Sequence, residues 1–325
     1  DLQWFIYHFN FKFPKFEDTM LMHYMFDENP GTHGLKQLAM NHTPYGDYEK
    51  PLEDWGIEYR RKHGILKEAF SYDLIPFDIM KDYAAMDAVV TFLLYEKMRA
   101  AIEKNSRLLW VYENILLEGC NFLMQVENNG VPFDRERLEF AQGVMQEDIG
   151  KAVAELYEFP EVRLFEKGQG KDFNPNSTVQ LRSLLFDYIN LTPTGKKTGT
   201  GAHSTDAEVL GQLAEEHAVP KHILEIRQKN KIKNTYLDKI IPNLDRDSRL
   251  RTGFNLHGTT SGRLSSSGKL NMQQLPRDNP TVKGCIKARE GHKIVSMDLT
   301  TAEVYVAAVL AKDVGLQDVF RSGGN

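Results

Sequence analysis

Residues 259–276, TTSGRLSSSGKLNMQQLP, and residues 294–313, IVSMDLTTAEVYVAAVLAKD, decide how this chain reads. Taken with Lys293, the second stretch runs KIVSMDL and then TAEVYVAAVLAKD. An apolar run passing into a helical pattern predicts a buried strand at 293–299 that hands over to a helix, with Asp298 at the junction. A carboxylate at a strand end is held on a rigid element with its oxygens in reach, which is what positioning a hard divalent cation requires. The same local pattern reads equally as an N-cap, with Asp298 closing a helix that starts at Thr300. Glu303 falls in the first helical turn, where its bland role is a favourable interaction with the helix dipole.

The rest of the composition sets the frame. A chain of 325 residues exceeds one ordinary core, so two or more domains are expected, and a hydrophobic content of 41% is enough to fill them. No run of 18 apolar residues occurs, and DLQWFIYHFN at 1–10 lacks the pattern of a signal peptide. The expectation is a cytoplasmic protein, in the host cytoplasm if the chain is viral, with no membrane partner. Cys120 and Cys285 stand outside any Cys/His cluster, which reads as two inert thiols and argues against structural zinc. The net charge of −5 hides an uneven distribution: residues 221–290 hold 15 Lys/Arg against 6 Asp/Glu, so this segment is +9 and the remainder −14. Such a stripe is either a phosphate-contacting surface or a solvated helix face.

Helical spacing of Tyr83, Met86, Val90, Leu94 and Met98 predicts a helix over 77–104. A second helix, 108–129, stops at Asn129 and Gly130 with Pro132 beyond, and a third runs over 134–158. Residues 166–176 and 192–204 are polar and contain Gly, and read as loops. Thr205 with Glu208 forms a capping box, and Pro220 opens a long helix to about Ile241. From Arg249, RLRTGFNL reads as short extended pieces before the Ser/Gly-rich loop.

The two opening strings, in this order and at this spacing, resemble family A DNA polymerases, the group of bacterial DNA polymerase I and many phage replicases. The first is similar to that family's T-x-x-G-R-L-S-S…N-L-Q-N-I-P, the second to its motif A, D-Y-S-Q-I-E-L-R. KNKIKNTYLDKI at 229–240 is similar to the thumb helix tip, and FNPNSTVQLRSLLF at 173–186 to the segment leading into the thumb. FEDTMLMHYMFDENPGTHGLKQLAM and DYAAMDAVVTFLLYEKM look like the proofreading exonuclease domain. The fold class implied is α/β and α+β multidomain: a partial RNase H-like exonuclease domain at 1–105, a helical connector at 106–165, a helical thumb at 166–248, and an incomplete palm from 249 to 325.

The resemblance implies a role for each matched residue. Asp298 would ligate both of two magnesium ions, with manganese as a substitute, and the Leu299 carbonyl would face the same metal; such a pair serves phosphoryl transfer from a deoxynucleoside triphosphate to a primer 3′-hydroxyl. Glu303 matches the steric gate against ribonucleotides. Arg263, Asn271, Gln273 and Arg277 fall in the segment that follows the minor groove of primer-template DNA, where acceptors shared by all correct pairs report geometry and not sequence. Lys231, Lys233, Asn234 and Thr235 would hold duplex phosphates, which give affinity without specificity. Tyr83 and Asp87, spaced i, i+4 on one helix face, match the exonuclease Y-x-x-x-D motif, with the aspartate on metal and the tyrosine orienting water. Asp1 falls where the second exonuclease motif has its metal-binding aspartate.

Motif A departs from the common residues at Leu299, Thr300, Thr301, Ala302, Val304 and Tyr305, so the chain reads as a divergent member. The exonuclease D-x-E motif and polymerase motifs B and C are not among these 325 residues, and the resemblance places them, as an expectation, before residue 1 and after residue 325. A C-terminal polymerase portion carrying motifs B and C is therefore an expected partner, in the same or a second polypeptide. The rival readings are a catalytically inactive primer-template DNA-binding module and an exonuclease whose C-terminal part only holds DNA.

Overall fold

A computed structural model describes residues 2–11, 13, 15–268, 270–275, 279–299 and 301–323. The chain divides into two compact units, Asp1–Ile286 and Lys287–Asn325. The described residues are mostly helical, with two two-stranded antiparallel sheets: Val131–Pro132 with Arg249–Leu250, and Gly253–Asn255 with Ser265–Ser267. The α/β character implied by the resemblance is represented within residues 2–103 by helices; no strand occurs among the residues described there.

In the first unit the predicted stripe is realised by helix Phe77–Ile102, which buries Val90, Leu94, Met98 and Ile102 against Leu21, Met22, Leu38 and Tyr112. Met86 is partly covered and Tyr83 half-buried. The helix thus leaves the core toward its N-terminus, and this turns Tyr83 and Asp87 toward a neighbouring turn. The next run is capped by Asn105, whose side chain accepts from the Arg107 and Leu108 amides, and passes through a π-helical turn, Tyr112–Leu116, into Leu117–Asn129. It stops at Gly130, where φ is +59° and an added Cβ would lie 2.9 Å from the Leu250 carbonyl oxygen, so only glycine fits.

Helix Arg135–Tyr157 starts at Asp134, whose carboxylate accepts from the Arg137 amide, and buries Leu138, Met145, Ile149, Ala152 and Leu156. Its first half packs into a cluster with Tyr236, Leu237, Ile240, Leu250, Val282 and Cys285; its last turns enter a second with Phe165, Phe173, Leu184, Ile223 and Ile226. Truncating a ring as covered as Phe165 or Phe173, each 1% exposed, is expected to cost about 3–5 kcal/mol. The helix predicted from Pro220 to about Ile241 is Ala218–Ile232, continued by a π-helical turn at Lys233–Leu237, then Asp238–Ile240 and a tighter turn at Ile241–Asn243. Both cysteines are free thiols, Cys285 buried.

Three expectations need correction. Residues 166–169 are the last turn of helix Pro160–Gln169, because Phe165 belongs to the core and draws that turn into the helix. The cap of Ala207–Leu213 is Asp206, which accepts from the Val209 amide, while Thr205 is buried and gives its carbonyl to Arg227. Residues 293–299 form no strand: Ile294, Val295, Met297 and Leu299 are exposed by 57%, 76%, 90% and 82%. A strand exists only through a pairing neighbour, and the described residues pair none with it.

In the second unit, taken by itself, irregular chain leads to helix Ala302–Leu310 and then Val314–Arg321. These two helices meet through the Tyr305 and Phe320 rings, 5.4 Å apart and edge to face, and through the Gln317 amide, which donates to the Ala308 carbonyl at 3.1 Å. Among the described residues no helix is long and apolar enough to cross a membrane.

Candidate functional site

The nuclease pair lies one turn apart on Phe77–Ile102. Asp87 Oδ1 accepts a hydrogen bond at 2.5 Å from Tyr48, which lies in the turn before helix Lys50–His63, while Tyr83 stands one turn before Asp87 on the same helix. The two rings stack with centroids 6.2 Å apart and planes 16° apart. Burial first, and then the neighbouring Asp87 carboxylate, pushes both phenol pKa values well above the ordinary 10. Lys36 holds the turn by pairing with Glu49 at 3.3 Å and with Glu53. Tyr48 has no local signal in the sequence, since its partner is 39 residues away. Asp1 lies outside the described residues.

The four thumb positions lie together at the end of Ala218–Ile232 and on the π-helical turn that follows, a distortion often found at functional sites. Lys231 and Asn234 are exposed; Lys233 and Thr235 are half-buried. The Lys233 ammonium donates to Asp238 Oδ2 at 2.8 Å, and Asp238 Oδ1 accepts from Gln142 at 2.6 Å. Burial alone would raise the Asp238 pKa, but the two hydrogen bonds outweigh it and hold the carboxyl below its usual range. The basic segment is partly neutralised elsewhere too: Lys229 pairs with Glu225 at 2.8 Å, and Arg251 with Asp245 and Asp247 at 2.5 and 2.8 Å. Arg227, half-buried, donates to the Thr205 carbonyl at 2.7 Å, which gives it a scaffolding task.

The hairpin Gly253–Asn255 and Ser265–Ser267 presents Arg263 in the loop just before its second strand, exposed. Thr259 Oγ1 donates to the Arg263 carbonyl at 2.7 Å, and the Thr259 carbonyl accepts from Tyr24 at 2.7 Å. The Gln273 amide nitrogen donates to the Leu264 carbonyl at 3.0 Å, while its oxygen accepts from Ser266 Oγ at 2.7 Å. Asn271 caps the short turn Met272–Gln274 by accepting from the Gln273 amide at 2.9 Å. The structure therefore brings Arg263, Asn271 and Gln273 together around one hairpin, with the two amides engaged in holding it. Arg277 lies outside the described residues.

In the second unit Asp298 and Leu299 are exposed on irregular chain and Glu303 is exposed in the first turn of Ala302–Leu310. The residue before that helix is Thr301, in the left-handed region at φ +50°, with no side-chain cap. Asp298 is thus not the N-cap that its local pattern equally allowed. Among the described residues no three His, Cys, Asp or Glu side chains are grouped so as to hold a metal ion.

Comparison with known proteins joins these pieces. The sequence model of DNA polymerase family A matches residues 144–325, and that of the 3′-5′ exonuclease matches residues 1–103. The DNA polymerase of Escherichia phage T5 is 51% identical over 326 residues, covering 98% of this chain and 38% of the relative. DNA polymerase I of Rhizobium leguminosarum is 31% identical, covering 95% of this chain and 29% of the relative. The chain therefore spans well under half the length of these relatives. The fold is similar to the POL domain of Pol1 from M. smegmatis, solved with DNA primer-template and dNTP, at a TM-score of 0.70 over 95% of this chain and 47% of that one, with 24% identity.

Proposed function

Because the chain belongs to DNA polymerase family A, we propose that it forms the exonuclease, connector, thumb and first palm portions of a DNA-templated DNA polymerase, divided at 1–105, 106–165, 166–248 and 249–325. It extends a primer 3′-hydroxyl with deoxynucleoside triphosphates and removes misincorporated 3′ ends, in the cytoplasm. The observation that carries the reading is Asp298: it stands exposed after an apolar run, within the family match, and does no capping for the helix beyond it.

Asp298 and the Leu299 carbonyl would hold the polymerase magnesium ions, and Asp87 and Asp1 those of the nuclease, with manganese as a substitute. Hard oxygen donors suit either cation, and each centre needs carboxylates beyond the described residues, which contain no group of three. Bound there, the cations would supply charge neutralisation at phosphate and activation of the attacking oxygen. Glu303, five residues past Asp298 in the first turn of Ala302–Leu310, occupies space that a ribose 2′-hydroxyl would need. Lys231, Lys233, Asn234 and Thr235 hold duplex phosphates, and Lys233 exchanges Asp238 for phosphate when it does so. Arg263 and Arg277 reach toward the primer-template minor groove, with Asn271 and Gln273 keeping the hairpin in shape or joining it there. Tyr83 orients the water that attacks at the nuclease.

The test is primer extension with magnesium by this chain alone, and by this chain mixed with a C-terminal family A portion carrying motifs B and C. Extension in the mixture, abolished by Asp298→Ala, is the expected result. Primer-template binding without extension in the mixture would favour a DNA-binding module instead.

A further inference from the structure

Asp87 has two phenols beside it, Tyr83 on its own helix and Tyr48, whose ring stacks on that of Tyr83. Tyr48 donates to Asp87 from a turn pinned by Lys36 through Glu49 and Glu53. The Tyr48 ring packs against the cluster of Leu38, Val90 and Leu94, so the hydroxyl is anchored from below by core. Its separation from Asp87 Oδ1, 2.5 Å, is that of a strong charge-assisted bond. A half-buried carboxylate without a fixed donor keeps rotational freedom about its terminal torsion, which is broad and nearly two-fold; a donor anchored on another element removes it. We propose, on the basis of the nuclease reading, that Tyr48 is a positioning residue that fixes the Asp87 carboxylate in the orientation in which it receives a divalent cation. Groups that hold a metal ligand from outside typically contribute 10–100-fold to metal affinity.

The test uses the chain joined to a family A segment that carries the D-x-E motif, with Asp298→Ala in every variant to remove polymerase-site binding, and reads Mn2+ binding by electron paramagnetic resonance together with 3′-end removal from a single-stranded oligonucleotide as a function of Mn2+ concentration. Tyr48→Phe keeps the ring and its packing and deletes the donor. Half-saturating Mn2+ is expected to rise roughly tenfold in binding, and in excision as well, with oligonucleotide KM unchanged and the rate recovered at excess Mn2+. A purely structural role would lower the melting temperature and leave the Mn2+ requirement where it was. Half-saturation within twofold of the parent, while Asp87→Ala abolishes binding, would overturn the role of Tyr48 and leave the nuclease reading intact. Asp87→Ala without effect on Mn2+ binding or excision would overturn both. Should Tyr48→Phe fail to fold, Tyr48→Leu, which also deletes the donor and keeps an apolar side chain against the core, takes its place under the same criteria.

Discussion

Tyr112 offers a sharp test of how this chain is held together. Its ring is 0% exposed in the π-helical turn Tyr112–Leu116. Its hydroxyl donates to Glu17 Oε2 at 2.7 Å and accepts from the Asp18 amide at 3.0 Å. Asp18 in turn caps helix Thr19–Tyr24 through the Leu21 amide at 2.9 Å. Tyr112→Phe keeps the ring and removes both bonds. A bond to a charged group contributes about 1.5–3 kcal/mol, and an amide left without its acceptor costs about 1–3 kcal/mol. Glu17 retains Arg99 at 3.5 Å and water, so the lower end of the combined range applies, about 2.5 kcal/mol. Urea denaturation at pH 7, followed by circular dichroism, reads this directly, and a loss below about 0.5 kcal/mol would refute the reasoning. Alkaline pH gives a second check. Burial, opposed by the Asp18 amide and aided by Glu17, raises the Tyr112 pKa above 10 in the folded state. Above pH 10 the unfolded chain then releases a proton that the folded chain keeps. The parent therefore loses stability relative to Tyr112→Phe by up to about 1.4 kcal/mol per pH unit, and the difference between them narrows. A difference that stays constant from about pH 9 to 11 would sink the assignment.

Burial is the first cause lowering the pKa of His23, His33 and His257, with Asp27 and His42 beside His23, His23, His257 and Asp27 beside His33, and Asp18 beside His257. A depressed histidine pKa leaves stability intact above pH 6.5 and loses it as pH falls below, because the unfolded chain takes up protons first; His33→Gln should flatten this acid slope by at most about 1.4 kcal/mol per pH unit in calorimetry. Lys231→Ala should weaken primer-template binding alike for all sequences and reduce the slope of log affinity against log salt by about 0.9; a sequence-dependent loss would contradict a phosphate contact. Gly130→Ala should cost about 1–3 kcal/mol in urea denaturation, since its Cβ would meet the Leu250 carbonyl oxygen at 2.9 Å in a left-handed backbone; an unchanged midpoint would show that strand Arg249–Leu250 yields.

What the sequence determined by itself was local or carried by linked motifs. Asp134 and Gly130 mark a helix start and stop because caps and left-handed ends act on amides and carbonyls a few residues away. Tyr83 and Asp87 share a face because a helix repeats every 3.6 residues, and the two strings at 259–276 and 294–313 pointed to the family that the match over 144–325 supports. Tertiary structure alone decided the rest. Tyr48 reaches Asp87, Gln273 holds Leu264 and Ser266, and Asp238 takes up Lys233 with help from Gln142, each through a partner that folding and not spacing supplies. Residues 293–299 are the converse case. Their apolar pattern predicts a strand, yet pattern records only a preference for burial, and a strand needs a neighbour to exchange hydrogen bonds with, which the described residues do not provide.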